Sequence, residues 1–147
     1  MQVIGFNFNK ILAEKTGKPE GKLNIAMNIN FSDLEKEETK ALNKDVLRTD
    51  FEFNIIYQKV AKFEIKGSVY FIATPEKLKE MLKKWQKEKK LSDEARVPLM
   101  NFVLTKCNVK TLQLEEEFSL PSHIPLPKVT QTPPGEKAEK SKDAKYV

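Results

Sequence analysis

Arginine, cysteine, histidine and long apolar runs are nearly missing from this chain, and each shortage closes off a class of function. Of 26 basic residues, only Arg48 and Arg96 are arginine. The planar arginine fork is the side chain that reads base edges and grips phosphate at two points, so specific binding of duplex DNA is not expected. The single cysteine, Cys107, cannot form an internal disulfide, which fits a reducing compartment. The one histidine, His123, is distant from it in sequence, and no pair has zinc-ligand spacing. Glycines are few and scattered, and neither a phosphate loop nor a dinucleotide fingerprint occurs. No stretch approaches the ~18 apolar residues of a membrane span. Met1–Asn7 has no basic start or long apolar run, so no signal peptide is expected. These shortages predict a cytoplasmic chain without membrane insertion, metal or cofactor, and not an enzyme.

What is present is a charged globular composition. Hydrophobic residues make up 39% and charged residues 32% of 147 residues, a length that suits one domain with a real core. The net charge of +5 and pI near 9.2 permit an anionic partner.

The first half reads as strands. Ile4, Phe6 and Phe8 alternate with Gly5, Asn7 and Asn9, and a turn cluster follows at Thr16–Gly21. Leu23, Ile25, Met27, Ile29 and Phe31 take every second position, with asparagines and Ala26 between them: one dry face and one wet face. The charged stretch from Ser32 to Lys44 has too few apolar residues for a packed helix and reads as a loop. Phe51, Phe53, Ile55 and Tyr57 form a third pattern, and Phe63, Ile65, Val69 and Phe71 a fourth. Gly67 falls on the apolar face of the fourth, where a bulge or close approach is expected. The short link at 58–61 makes a hairpin, and the four strands together suggest an antiparallel meander.

The second half reads as helix. Thr74 caps and Pro75 opens a helix whose stripe is Leu78, Met81, Leu82 and Trp85. Pro98 opens a second one, apolar on two sides through Cys107 and resuming at Val109, with a continuation or kink at Asn108 left open. Leu120–Pro127 is broken by prolines and takes an extended path. The reading is a domain over 1–129 and a disordered basic tail over 130–147, where almost nothing can be buried.

Candidate chemistry is thin. Cys107 lies in an apolar helical stripe and reads as a small buried hydrophobe rather than a nucleophile. His123 reads as a surface or packing residue. Glu115, Glu116 and Glu117 point in three directions on a helix and read as a solvated face. Phe63 and Phe71 share a face with Ile65 and Val69, which is a core pattern rather than an RNA-stacking one. Ile56 and Tyr70 are the oddities, apolar residues on faces that should be wet.

The strand pair Phe51–Tyr57 and Phe63–Phe71, the helix from Pro98 to Phe118 and the segment Leu120–Pro127 together resemble SecB, the export chaperone, and its archaeal and toxin–antitoxin-associated relatives. The resemblance covers about residues 3–129 and is one of order and pattern, without a diagnostic motif. It implies an α+β fold with a four-stranded antiparallel sheet followed by two helices. It also implies an ATP-independent holdase that assembles as a homo-oligomer and keeps unfolded polypeptide in apolar grooves. Ile56 and Tyr70, then Phe6 and Phe8, are the candidate groove residues. The chain is basic where bacterial SecB is acidic, and its charged 32–44 insertion and Lys-rich 76–90 helix also depart, which counts against contact with an export motor. The alternative is a nucleic-acid or ribosome-associated factor using the lysines from Lys77 to Lys90 and the tail.

Overall fold

The computed structural model describes residues 1–38 and 45–131. It contains four strands, β1 (Gln2–Lys15), β2 (Ile25–Glu38), β3 (Asp45–Tyr57) and β4 (Ala61–Ile72), then two helices, α1 (Pro75–Glu88) and α2 (Asp93–Glu117). This is the expected α+β class, a four-stranded antiparallel sheet followed by two helices.

The sheet order is β1-β4-β3-β2, so it is not a meander. β1 pairs with β4, and the link from β1 to β2 crosses the end of the β3–β4 hairpin. That crossing is pinned by backbone bonds: Thr16 and Gly17 N–H donate to Val60 O (2.7 and 3.1 Å), and Gln58 N–H donates to Asn24 O (3.1 Å). Gly17 is required there, because a Cβ would sit 2.8 Å from the Lys59 carbonyl oxygen. Nothing in local periodicity encodes which strand β1 will meet.

Two strands run further than their alternation suggests, and bulges explain why. In β1 the register skips Asn9, so the inward set changes phase from Phe6 and Phe8 to Ile11 and Ala13. In β2 it skips Ser32, moving the inward set from Phe31 to Leu34. The loop expected from Ser32 is therefore strand as far as Glu38. Leu34 is buried, Thr49 Oγ1 donates to Asp33 O (2.8 Å), and Glu35 and Glu37 hang outward on the Arg48 guanidinium at 3.0 and 2.6 Å. The remainder of that loop, 39–44, lies outside the described residues.

Leu47, Phe51, Phe53, Ile55, Tyr57, Phe63, Ile65, Val69 and Phe71 line the inner face of the central strands at 0–1% exposure. Burying each such side chain contributes roughly 1.5–3 kcal/mol, which makes β3 and β4 the centre of the core. The Phe51 ring passes over Gly67, where a Cβ would lie 2.6 Å from the ring and 2.3 Å from Asn7 O; this is the close approach expected of that glycine.

α1 lies against β2 and α2 against β4. Thr74 caps α1 by accepting from Lys77 N–H (3.4 Å), with Pro75 in the first turn. α2 starts before Pro98, at Asp93 after the cap residue Ser92, and runs unbroken past Asn108. Pro98 stands exposed inside it and removes one backbone donor without stopping it. No helix among the described residues is long and apolar enough to cross a membrane.

Candidate functional site

The inner sheet face is mostly apolar, and the helices cover its centre better than its rims. Directly opposed residues in a ladder point to the same face. Phe8 faces Gly67, Ile11 faces Ile65 and Met27 faces Ile55, so all three point inward with the core. Yet they are 38%, 40% and 49% exposed.

Two grooves result. The first lies between β1 and α2, a hollow of about 400 Å³ lined by Phe8, Val109 and the stems of Lys106 and Lys110. Behind Phe8, Phe6 packs edge-on to it (5.0 Å between ring centres), stacks on Phe51 (5.4 Å) and meets Phe102 of α2 (5.6 Å). The second groove, about 460 Å³, lies between β2 and the joint of the two helices. Ile29, Phe31, Trp85, Leu91 and Met100 line it. β2 is also a free sheet edge, so alternate backbone N–H and C=O groups there have no strand partner among the described residues.

Of the four residues singled out by pattern, Phe6 and Phe8 stand together in the first groove. Ile56 and Tyr70 lie on the other side of the sheet. Ile56 is 52% exposed opposite Lys62. Tyr70 is half-buried opposite Arg48 and Gly5, its ring filling the space a Gly5 side chain would take. Arg48 and Ile56 are eight positions apart on β3, which separates the two outer-face residues by roughly 26 Å. They share no groove with each other or with the phenylalanines. The residues of the β2 groove were missed as a site because each reads as ordinary core; the available signal was Met27, placed on an edge strand.

A buried polar cluster stands behind the grooves. Ala95, Leu99, Val103, Cys107 and Thr111 recur every four residues on the buried ridge of α2, and Glu115 continues the series. Glu115 is therefore not part of a solvated face: only one of three consecutive helical positions points inward, and it is this one. Tyr57 Oη meets Glu115 Oε2 and also lies 2.6 Å from Pro121 O. His123 Nδ1 is 2.8 Å from Glu115 Oε1, and Nε2 is 2.8 Å from the Asn108 side-chain oxygen. The His123 and Glu115 side chains are 1% and 2% exposed, so His123 is a buried hydrogen-bonding residue rather than a surface one.

Burial pushes the Glu115 carboxyl above the ordinary carboxylate range, and the bond with His123 brings it only part of the way back. A Glu115 that keeps its proton donates to Tyr57 Oη, which frees the tyrosine proton for Pro121 O. The cluster clamps the Pro-broken segment after α2 onto β3. It lines neither groove. Burial also pushes the Cys107 thiol up to about 12, which makes it a packing residue rather than a nucleophile. Among the described residues, no group of three or more His, Cys, Asp or Glu is placed to hold a metal ion.

The sheet order, the crossing link and the two following helices define a SecB-like α+β fold. Among solved structures, the chain is similar to the Mycobacterium tuberculosis SecB-like chaperone Rv1957, in complex with a ChAD peptide from the Rv1956 HigA1 antitoxin. The likeness spans 89% of this chain and 91% of that one, with a TM-score of 0.50 and 13% sequence identity, and is a likeness of fold. No protein-family model and no curated protein sequence matches the chain.

Proposed function

We propose that this protein is an ATP-independent, chaperone-like module that holds unfolded polypeptide in apolar grooves in the cytoplasm, and that it is not an enzyme. The observation that carries the reading is the exposure of inward-facing apolar side chains at both sheet edges, Phe8 and Ile11 on one side and Met27 on the other. An unfolded chain offers apolar side chains and unpaired backbone together. A groove floored by aromatics beside a free strand edge takes both. The fold shared with a chaperone solved on a peptide supports the same reading.

Phe8, with Phe6 behind it, is the proposed contact in the β1 groove; Ile29, Phe31 and Trp85 are the proposed contacts in the β2 groove, with Met27 a further exposed inward-facing contact on the same strand. Ile56 and Tyr70 would act as separate contacts on the outer face. Val97, exposed on the flank of α2 and outside both grooves, is proposed to be covered in a homo-oligomer.

The test is a titration against a labelled, permanently unfolded polypeptide, followed by anisotropy at low and high salt. The expected result is binding that survives high salt and weakens about tenfold on Phe8→Ser with Met27→Ser, the loss of two buried apolar contacts. The Lys-rich outer face of α1 favours a second reading, a nucleic-acid or ribosome-associated factor. Phosphate contacts fade steeply with salt. Absence of polypeptide binding, with salt-sensitive RNA binding in its place, would establish that second reading.

A further inference from the structure

The rim of the β2 groove is rich in lysine. Lys84 on α1, then Lys89 and Lys90 in the turn after it, border the apolar floor. Among the described residues, none of the three has a carboxylate partner within ion-pair distance. Arg96 on the same rim is matched by Asp93 at 2.9 Å, so that pair contributes little net charge. The three lysines are exposed, and their charge stands over Ile29, Phe31 and Trp85.

The acids gather elsewhere. Asp33, Glu35, Glu37 and Asp50 surround Arg48 on the outer face, between 2.6 and 3.7 Å from its guanidinium. The sheet lies between that cluster and the groove, and salt screens charges separated by more than about 8–10 Å. A polypeptide approaching the β2 edge from the helix side therefore meets apolar surface framed by positive charge.

We propose that the β2 groove selects polypeptide segments in which apolar side chains are flanked by aspartate or glutamate. The inference rests on the proposed polypeptide-binding function and adds the class of segment preferred. The apolar floor supplies affinity. The lysines supply discrimination, because an acidic flank finds partners there and a basic flank is repelled. Trp85, the sole tryptophan, lies in the groove floor and reports occupancy by its own emission.

The experiment uses the full chain and three tryptophan-free peptides with one shared apolar stretch, flanked by Glu and Asp, by Ser and Gly, or by Lys. Anisotropy gives affinity and Trp85 emission gives location. At low salt the acidic peptide is expected to bind on the order of tenfold tighter than the basic one, the summed effect of a few exposed ion pairs. High salt is expected to collapse that preference while the neutral peptide holds its affinity. Lys84→Glu with Lys90→Glu is expected to reverse the order of the acidic and basic peptides at an unchanged thermal melt; Lys89 is left alone because it carries the left-handed cap of α1. Equal affinities for all three peptides would overturn the inference and leave the polypeptide-binding function standing. Failure of all three to bind would remove both. Acidic binding without a Trp85 response would place the preference elsewhere and overturn the assignment to this groove. A single-stranded oligonucleotide that competes as strongly as the acidic peptide would mark a plain anion surface and also overturn it. The wild-type comparison decides the matter alone if the double variant does not fold.

Discussion

Glu115 shows how one side chain carries structural weight that its neighbours do not. Glu116 and Glu117 are exposed, while Glu115 holds Tyr57 and His123 in a dry cluster. Glu115→Ala removes one buried partner from each of those two groups, leaving Tyr57 only Pro121 O and His123 only Asn108, and is expected to cost about 2–3 kcal/mol of unfolding free energy. Glu115→Gln keeps an acceptor for His123 and a donor for Tyr57, so its cost is expected to be below about 1 kcal/mol. The pH dependence separates the two states of the carboxyl. With its folded-state pKa raised, the native chain holds the Glu115 proton at pH values where the unfolded chain has lost it. Between the two pKa values the native state binds more protons, so stability falls as pH rises through that window. Denaturant melts over about pH 4 to 8 should show this decline in the wild type and a flatter profile in Glu115→Gln. An equally steep decline in both would assign the pH dependence to another group.

At the scale of elements, bulges decide where the strands go. β1 changes phase at Asn9, and Asn7 O lies where a Gly67 side chain would be. Gly67→Ala therefore forces β1 away from β4 or the Phe51 ring out of its place, since neither neighbour is a flexible chain end. The expected loss is about 2–4 kcal/mol, read from a denaturant midpoint, with faster amide exchange along β1. A melt within experimental error of wild type would show that the β1 edge yields freely. The same phase changes hid the strands. Alternation could be read over Leu23–Phe31 and Phe51–Tyr57, but it failed at Asn9 and at Ser32, where one residue drops out of the ladder. α1 was legible throughout, because its cap, its proline and its Leu78–Met81–Trp85 stripe are all local. The start of α2 was not, because Pro98 marks a helix start in most sequences and here stands a turn inside one.

For the whole molecule, the last described anchors are Leu120, buried, and His123 in its cluster; Leu126 and Val129 are exposed. The domain boundary at 129 is proposed from composition. Residues 132–147, most of the tail expected from composition, lie outside the described part of the structure. A chain ending at Val129 is expected to unfold within about 0.5 kcal/mol of the full one, since the composition of the removed segment offers almost nothing to bury. A larger loss in a parallel thermal and denaturant melt would place a stabilising contact in the removed segment and move the boundary.

The sequence by itself determined the α+β class, the inner faces of β3 and β4, the whole of α1 and the scarcity of histidine and cysteine. Each is written in local spacing or in composition, which survive without knowledge of any partner. The sequence also singled out Phe8 and Ile56 as candidate contacts, but not that they stand on opposite sides of one sheet. Tertiary structure decided that β1 pairs with β4, that Met27 is left half-exposed on the inner face and that Glu115 meets His123. These depend on contacts between residues distant in the chain, whose pairing is fixed by which surfaces can be buried together rather than by any nearby residue.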